Sequence, residues 1–270
     1  MSLSSQTPTM VAVHGAGGRM GQAILRAAPL QSDVRISAAL VRPGSSLEDT
    51  PISALVGNDV ADIDFRASLD PDTQLDALID FSSPHAFDSA IALAVERRVA
   101  FICGTTGLSE QQHVTLHRAA QHIPVLWASN FSLGIALMQR FARMAAQLLP
   151  TWDCEIVEMH HRRKVDAPSG TALTLGEAVA AGRGVALQAA AVHGRVGRGS
   201  RKAGEIGFHA LRGGDVIGEH TVMFVSEDER IELTHRANNR DIFAKGALVG
   251  AQRLARAAPG MYGMHDLLDE

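Results

Sequence analysis

Cysteine is nearly missing from this chain, with only Cys103 and Cys154 among 270 residues. A disulfide framework is thereby excluded, and a reducing compartment fits. Aromatic residues are scarce at 4%, with one tyrosine and two tryptophans, which argues against a surface that stacks on bases. Positive charge is not in excess either. A formal net charge of −4 offers no basic field, so nucleic acid is not expected as a partner. No run approaches the roughly 18–20 apolar residues of a membrane helix, and no membrane association is expected. The opening Met1-Ser2-Leu3-Ser4-Ser5-Gln6-Thr7-Pro8 has neither the basic segment nor the apolar core of a secretory leader, and reads as a frayed lead-in. What remains is 46% hydrophobic and 20% charged, the composition of a globular, cytoplasmic protein with room for two cores.

Short apolar runs alternate with helical spacing through the first half. Met10 to Val13, Ile36 to Val41, Leu78 to Phe81, Val99 to Cys103 and Pro124 to Trp127 read as strands. Between them lie helical stretches, one containing Met20, Ile24 and Leu25 and one opened by Pro84. A third has Ser109 and Gln112 as a capping box and ends near His122. The alternation predicts a parallel sheet covered on both faces. After about residue 131 the pattern changes. Ile135 to Leu149 reads as a helix, Cys154 to His160 as a strand, and Arg183 to Gly204 as a loop. Ile206 to Leu211, Val216 to Val225 and Arg230 to Thr234 follow as strands, with Gly213-Gly214 and Glu227-Asp228-Glu229 as turns, which suggests an antiparallel meander. Ile242 to Ala257 returns to helix. The expected architecture is α/β, with a second α+β domain whose mixed open sheet lacks helices on one face. Such a face is often buried by another copy, so a homo-oligomer is expected.

Two stretches carry chemistry. Gly15-Ala16-Gly17-Gly18-Arg19-Met20-Gly21 follows the first strand and opens a helix. Glycines allow a tight bend and close backbone approach, and the helix N-terminus favours a pyrophosphate. A merely structural turn is the alternative; the strand–loop–helix context favours a dinucleotide. About twenty residues on, an NAD-preferring site places an acid, but this chain has Val41-Arg42. Arg42, with Arg19, could pair a 2′-phosphate, so NADPH is expected in preference to NADH. Gly104, Thr105 and Thr106 end one predicted strand, and Ala128, Ser129, Asn130 and Phe131 the next. These strand ends share the sheet edge where ligands bind. Cys103 has no flanking cation and reads as a small core residue rather than a nucleophile.

The second stretch runs from Glu158 to Ala172 and contains His160, His161, Lys164 and the turn Pro168-Ser169-Gly170-Thr171. The imidazoles titrate near neutral pH, and Lys164 can hold a carboxylate or supply a proton. Asp166 or Ser169 caps a helix that starts here with Pro168 in its first turn, and its free N–H groups favour an anion. A metal half-site is the competing reading of the histidine pair, but no ligand-spaced carboxylate or cysteine accompanies it. Arg195, Arg198, Arg201 and Lys202 read as a solvated loop. Together the stretch describes a site for a small polycarboxylate. A non-catalytic dinucleotide sensor and an amino-acid-type dehydrogenase are the rival readings; neither calls for this whole combination.

The chain resembles the 4-hydroxy-tetrahydrodipicolinate (dihydrodipicolinate) reductases. The resemblance rests on the glycine loop, Gly44-Ser45-Ser46, Ile79-Asp80-Phe81, Gly104-Thr105-Thr106-Gly107 and Ser129-Asn130-Phe131-Ser132. It continues through His160-His161, Lys164 to Ala172, Gly218-Glu219-His220-Thr221, and Thr234-His235 with Arg240. It implies a Rossmann-like dinucleotide-binding domain (1–131 and 241–270) around a substrate domain (132–240) that joins a homotetramer. It implies His160 and Lys164 as proton donors, with His161, Ser169, Gly170 and Thr171 holding substrate carboxylates. Gly104 to Thr106 and Ala128 to Phe131 would contact the dinucleotide, with no metal. With cofactor and substrate on different domains, closure about Asn130 to Ser132 and Arg240 is expected. Some members carry an acid where this chain has Val41, a departure that agrees with NADPH.

Overall fold

The computed structural model describes residues 7–57 and 59–269; of the lead-in expected over residues 1–8, residues 1–6 lie outside them. The chain divides into two compact units, 1–131 with 241–270 and 132–240. No helix among the described residues is long and apolar enough to cross a membrane.

The first unit contains β1 (Thr9–His14), α1 (Arg19–Ala27), β2 (Val34–Leu40), α2 (Ser53–Val56), β3 (Phe65–Arg66) and β4 (Ala77–Asp80). It continues with α3 (Pro84–Arg97), β5 (Ala100–Cys103), α4 (Glu110–Ala119) and β6 (Pro124–Trp127). The second unit contains α5 (Leu133–Leu148), β7 (Asp153–His160), α6 (Gly170–Arg183), α7 (Leu187–Ala190), β8 (Ala191–His193), β9 (Ile206–Arg212), β10 (Glu219–Val225) and β11 (Arg230–Arg236). The chain then returns to the first unit as α8 (Asp241–Leu254) and β12 (Gly260–Tyr262).

The first sheet has the order β12-β6-β5-β4-β1-β2-β3, and its ladders are all parallel. Strands β4 and β5 are buried at every position, as expected of a sheet covered on both faces. Ser109 caps α4 in a full capping box with Gln112. Leu78, Phe87, Phe101, Leu116 and Val125 sit in one continuous core between sheet, α3 and α4. Because the chain runs outward from β1 through β2 and β3 and then returns to β4, β1 and β4 flank a topological switch point.

The second sheet has the order β11-β10-β7-β9-β8. The meander expected from Gly213-Gly214 is not formed. Strand β9 pairs parallel with β7, and β7 lies between β9 and β10. Residues 213–218 cross the end of β7 instead of reversing beside β9, held by Gly213 N–H to His160 O and His161 N–H to Val216 O. A glycine pair marks a bend but does not say which strand lies next to it. Residues 183–204 also differ from the expected loop, since they hold α7 and the edge strand β8. Elements of four and three residues are too short to leave a period. Arg195 and Arg201 are anchored there rather than solvated, Arg195 on Glu155 and Glu205, Arg201 on Glu155 and Asp153.

One face of this sheet buries Cys154, Ile156, Phe208, Val222 and Phe224 against Ile135 and Met138 of α5 and Leu175 and Val179 of α6. The opposite face carries Val157, Met159, Met223 and half-exposed Leu211, none of which joins that core.

Candidate active site

In the first unit the functional segments gather at the carboxyl ends of the strands. Gly15 has φ +74°, a left-handed conformation that glycine adopts without a steric penalty. A Cβ at Gly21 would lie 2.4 Å from Gly15 O, and one at Gly17 would lie 2.7 Å from Leu47 Cδ1. The loop is therefore folded tightly onto the start of α1 and against the segment after β2. Gly18 caps α1 with no side-chain hydrogen bond. The first N–H groups of the helix, at Arg19, Met20 and Gly21, have no intrahelical acceptor and stay available to an anion. Arg19 and Arg42 are exposed and form no ion pair with the described residues. Glu48 lies in the same loop as Arg42 and accepts from Gly44 N–H at 3.0 Å, so a carboxylate is present near this strand end that the residues around Val41 did not suggest.

At the switch point Asp80 is fully buried. His14 Nδ1 lies 2.8 Å from its Oδ1, Ser82 donates to Oδ1 at 2.6 Å and Thr105 donates to Oδ2 at 2.7 Å. The Thr105 hydroxyl is thus spent inside the protein, whereas Thr106 is exposed. Gly104 lies beneath the Phe81 ring, where a Cβ would come within 2.1 Å of Cε1. Ala128, Ser129 and Asn130 are open to the strand edge to varying degrees, but Phe131 is buried beside Phe81, ring centroids 5.1 Å apart. Burial and the neighbouring Asp80 charge raise the Cys103 thiol far above its usual range, in keeping with a core residue. A dinucleotide fits this unit: the loop leaves no room for side chains, and free N–H groups face outward.

The second unit assembles its site from four elements. Residues 158 and 160 alternate to the same face of β7, the face covered by helices, and both are buried. His160 Nδ1 lies 2.6 Å from Glu158 Oε2, which leaves Nε2 as its free nitrogen. Gly218 keeps that side open, since a Cβ there would lie 3.0 Å from Nε2. Glu158 also accepts from Ser169 N–H at 3.1 Å and from both Arg212 nitrogens at 2.8 Å. Burial alone would raise its pKa, but these donors hold Glu158 below the usual carboxylate range. Burial lowers the pKa of His160, and Glu158 only partly opposes that shift.

Ser169, and not Asp166, caps α6 by accepting from Ala172 N–H at 3.2 Å. Pro168 therefore precedes the cap instead of lying in the first turn, and the Ala167–Pro168 peptide is cis. Ser169 Oγ also forms a hydrogen bond with His220 Nε2, 3.1 Å away. With Ser169 N–H on Glu158, both polar groups of Ser169 are used internally. Gly170 and Thr171 remain more accessible at the helix end. Lys164 Nζ pairs with Asp166 at 2.8 Å, and the Lys164 hydrogen bond holds Asp166 below its usual range. Buried nitrogens without partners among the described residues cluster here: His161 Nδ1, His220 Nδ1, His235 Nδ1 and Arg212 Nε. Unpartnered buried polar atoms of this kind are costly and fit a seat completed by a polar ligand.

The structure thus brings His160, Lys164, His161 and the α6 N-terminus into one locus, and adds Glu158, Arg212 and His220. Glu158 was detectable in principle, because a residue two before His160 on a strand shares its face. Arg212 and His220 had no such signal, since they arrive from β9 and β10 through sheet register.

A Rossmann-like unit with a glycine loop, joined in one chain to a mixed-sheet unit with an imidazole–lysine–helix site, defines a nicotinamide-dinucleotide-dependent oxidoreductase. Sequence comparison gives the family. Residues 9–131 match the family described as Dihydrodipicolinate reductase, N-terminus, and residues 134–268 match Dihydrodipicolinate reductase, C-terminus; the chain belongs to this family. It is 46% identical over 268 residues to the 4-hydroxy-tetrahydrodipicolinate reductase of Stenotrophomonas maltophilia (strain K279a), covering 98% of this chain and 99% of the relative. It is 44% identical over 260 residues to that of Agrobacterium fabrum, covering 95% and 94%. A solved dipicolinate-bound dihydrodipicolinate reductase from Paenisporosarcina sp. TG-14 shares the fold, with TM-score 0.74 and 24% identity over 95% of this chain and 98% of that one.

Proposed function

We propose that the chain reduces 4-hydroxy-tetrahydrodipicolinate to tetrahydrodipicolinate with loss of water, consuming NAD(P)H and a proton, in the diaminopimelate route to lysine. The observation that supports this most directly is the His160–Lys164–α6 locus, in a chain whose curated relatives carry that activity in their names over nearly their whole length. When bound, the dinucleotide supplies a hydride. The free N–H groups of Arg19, Met20 and Gly21 at the start of α1 hold its pyrophosphate, with Gly15, Gly17 and Gly18 shaping the loop that brings it there. Gly104, Thr106, Ala128, Ser129 and Asn130 line the nicotinamide end; Thr105 and Phe131 shape that end from behind, one through Asp80 and the other through Phe81.

His160 presents Nε2, and Lys164 a primary ammonium, as the two proton donors. His161, Gly170 and Thr171 hold carboxylates of a small dicarboxylate of the dipicolinate kind, while Ser169 positions the helix end. Lys164 leaves Asp166 as that anion arrives. Arg42, with Arg19, pairs a 2′-phosphate, so NADPH is preferred over NADH, and the chemistry requires no metal. Closure about residues 130–132 and 240 unites hydride and proton donors. The sheet face carrying Val157, Met159 and Met223 joins copies into a homotetramer, and the two free buried cysteines suit the cytoplasm.

The test is NADPH oxidation supplied with the coupled product of dihydrodipicolinate synthase. Oxidation dependent on that product is expected; none at any enzyme concentration would refute the activity.

A further inference from the structure

Glu158 donates no proton in the proposed reaction, yet it makes more hydrogen bonds than either proton donor. We propose that Glu158, with Arg212 as its countercharge, is the positioning residue that holds His160 with Nδ1 inward and Nε2 toward the substrate. The proposal rests on the reading of His160 as a proton donor.

The geometry points to a carboxylate that organises the whole segment. Glu158 is 1% exposed. Its Oε2 takes His160 Nδ1 at 2.6 Å and one Arg212 nitrogen at 2.8 Å; its Oε1 takes the other Arg212 nitrogen at 2.8 Å and Ser169 N–H at 3.1 Å. One carboxylate thereby fixes the imidazole, the cap residue of α6 and β9. Arg212 Nη2 also donates to Asp166 O at 2.6 Å, which ties the loop carrying Lys164 to the same point. A buried carboxylate would be costly without that guanidinium, and the bidentate fork leaves it a fixed acceptor for His160.

The consequence for His160 follows from the donor inventory. An ionised carboxylate only accepts, so the neutral imidazole must carry its proton on Nδ1. Nε2 is then bare until protonated, and the imidazolium that forms has a counter-ion at Nδ1. This is the logic by which an acid partner orients a catalytic histidine. The charged and titratable groups facing His160 are Glu158 on β7, Arg212 on β9, His220 on β10, and Lys164 from the loop that follows. Of these only Glu158 favours the imidazolium.

The experiment combines nitrogen-15 NMR of labelled histidine with kinetics of Glu158→Gln and Arg212→Met. In the unmodified protein the neutral His160 ring should show a protonated Nδ1 and a bare Nε2. A glutamine cannot accept from all four donors, so in E158Q the neutral ring should move its proton to Nε2 and titrate at lower pH. The expected kinetic effect is a fall in kcat of about 10²-fold, with the alkaline limb of the profile, where the donor loses its proton, moved to lower pH, substrate KM within about threefold, and NADPH binding unchanged. R212M removes a cation that disfavours the imidazolium and one tether of Glu158, so His160 should titrate at higher pH with its neutral proton still on Nδ1, and kcat should fall by less than in E158Q. A neutral ring with its proton on Nε2 in the unmodified protein overturns the proposal without any variant, whether or not E158Q folds. So does an E158Q that keeps both the His160 titration and kcat. If instead the unmodified protein fails to reduce the substrate, the reductase reading fails, and the NMR arm still decides the positioning.

Discussion

From Gly15 to Gly21 the chain removes side chains; from Glu158 to Ser169 it accumulates them. In the first region the backbone is left bare, open to the approach of a ligand. Space is the resource, and a Cβ at Gly17 or Gly21 would collide with Leu47 or with the loop itself. Charge comes from N–H groups at the start of α1 and from two exposed arginines. In the second region buried side chains make the site. A carboxylate and two imidazoles are buried on β7 and β10, and a partly buried guanidinium joins them from β9. The first arrangement is local in sequence and tolerant of what surrounds it. The second depends on the register of three strands, and each member supports another.

That contrast yields predictions of decreasing size. Replacing His160 with Gln and Lys164 with Ala together should lower kcat by at least about 10³-fold, since each loss of a general acid is worth 10²–10⁴, with the NADPH dissociation constant within twofold of its original value (~2). Steady-state kinetics with fluorescence titration of NADPH would separate the two. Equal losses in both would erase the division between the sites.

Gly21→Ala should act in the mirror sense. Its Cβ would lie 2.4 Å from Gly15 O, so the loop must move, and NADPH binding should weaken by about 10–100-fold for a strain of roughly 1–3 kcal/mol. Calorimetric binding of dipicolinate at the second site should be unaffected.

The buried imidazoles set a pH dependence on the second region. Burial first, and then the neighbouring His160, lower the His220 pKa from 6.5 to about 4. Unfolding lets that ring protonate, so the unfolded state binds more protons and stability rises with pH. The contribution is whole above about 6.5 and is lost as pH falls from there toward about 4. Tm should therefore drop by roughly 4–8 °C between pH 7 and pH 5, and His220→Gln should reduce that drop. A pH-dependent Tm unchanged by the substitution would remove His220 from the account.

Arg42→Ala probes the first region again. It should weaken NADPH binding by about tenfold, the scale of one charge-assisted hydrogen bond, and leave NADH within twofold (~2). Equal changes for both cofactors would show that Arg42 does not read the 2′-phosphate.

The same contrast explains what the sequence disclosed. The alternation of Met10 to Val13, Leu78 to Phe81 and Val99 to Cys103 with helices was legible because each strand is short, apolar and buried on both faces. The Ser109–Gln112 box and the glycine loop are local signals and stand where they were expected. The second sheet was harder. Gly213-Gly214 looks like a hairpin turn, yet the chain there crosses β7, a relation that only long-range register defines. His160, His161 and Lys164 were conspicuous by proximity in sequence. Arg212 and His220 were not, because they reach Glu158 and Ser169 from 54 and 51 residues away.

The central claim, that the two regions cooperate in one hydride transfer, is tested most directly by isotope transfer. NADPH carrying deuterium at the reactive nicotinamide carbon, mixed with the synthase product and enzyme, should place deuterium on tetrahydrodipicolinate in a one-to-one ratio with NADPH consumed. Reduced product without deuterium from either face of the nicotinamide, or no consumption of NADPH with both ligands bound, would contradict it.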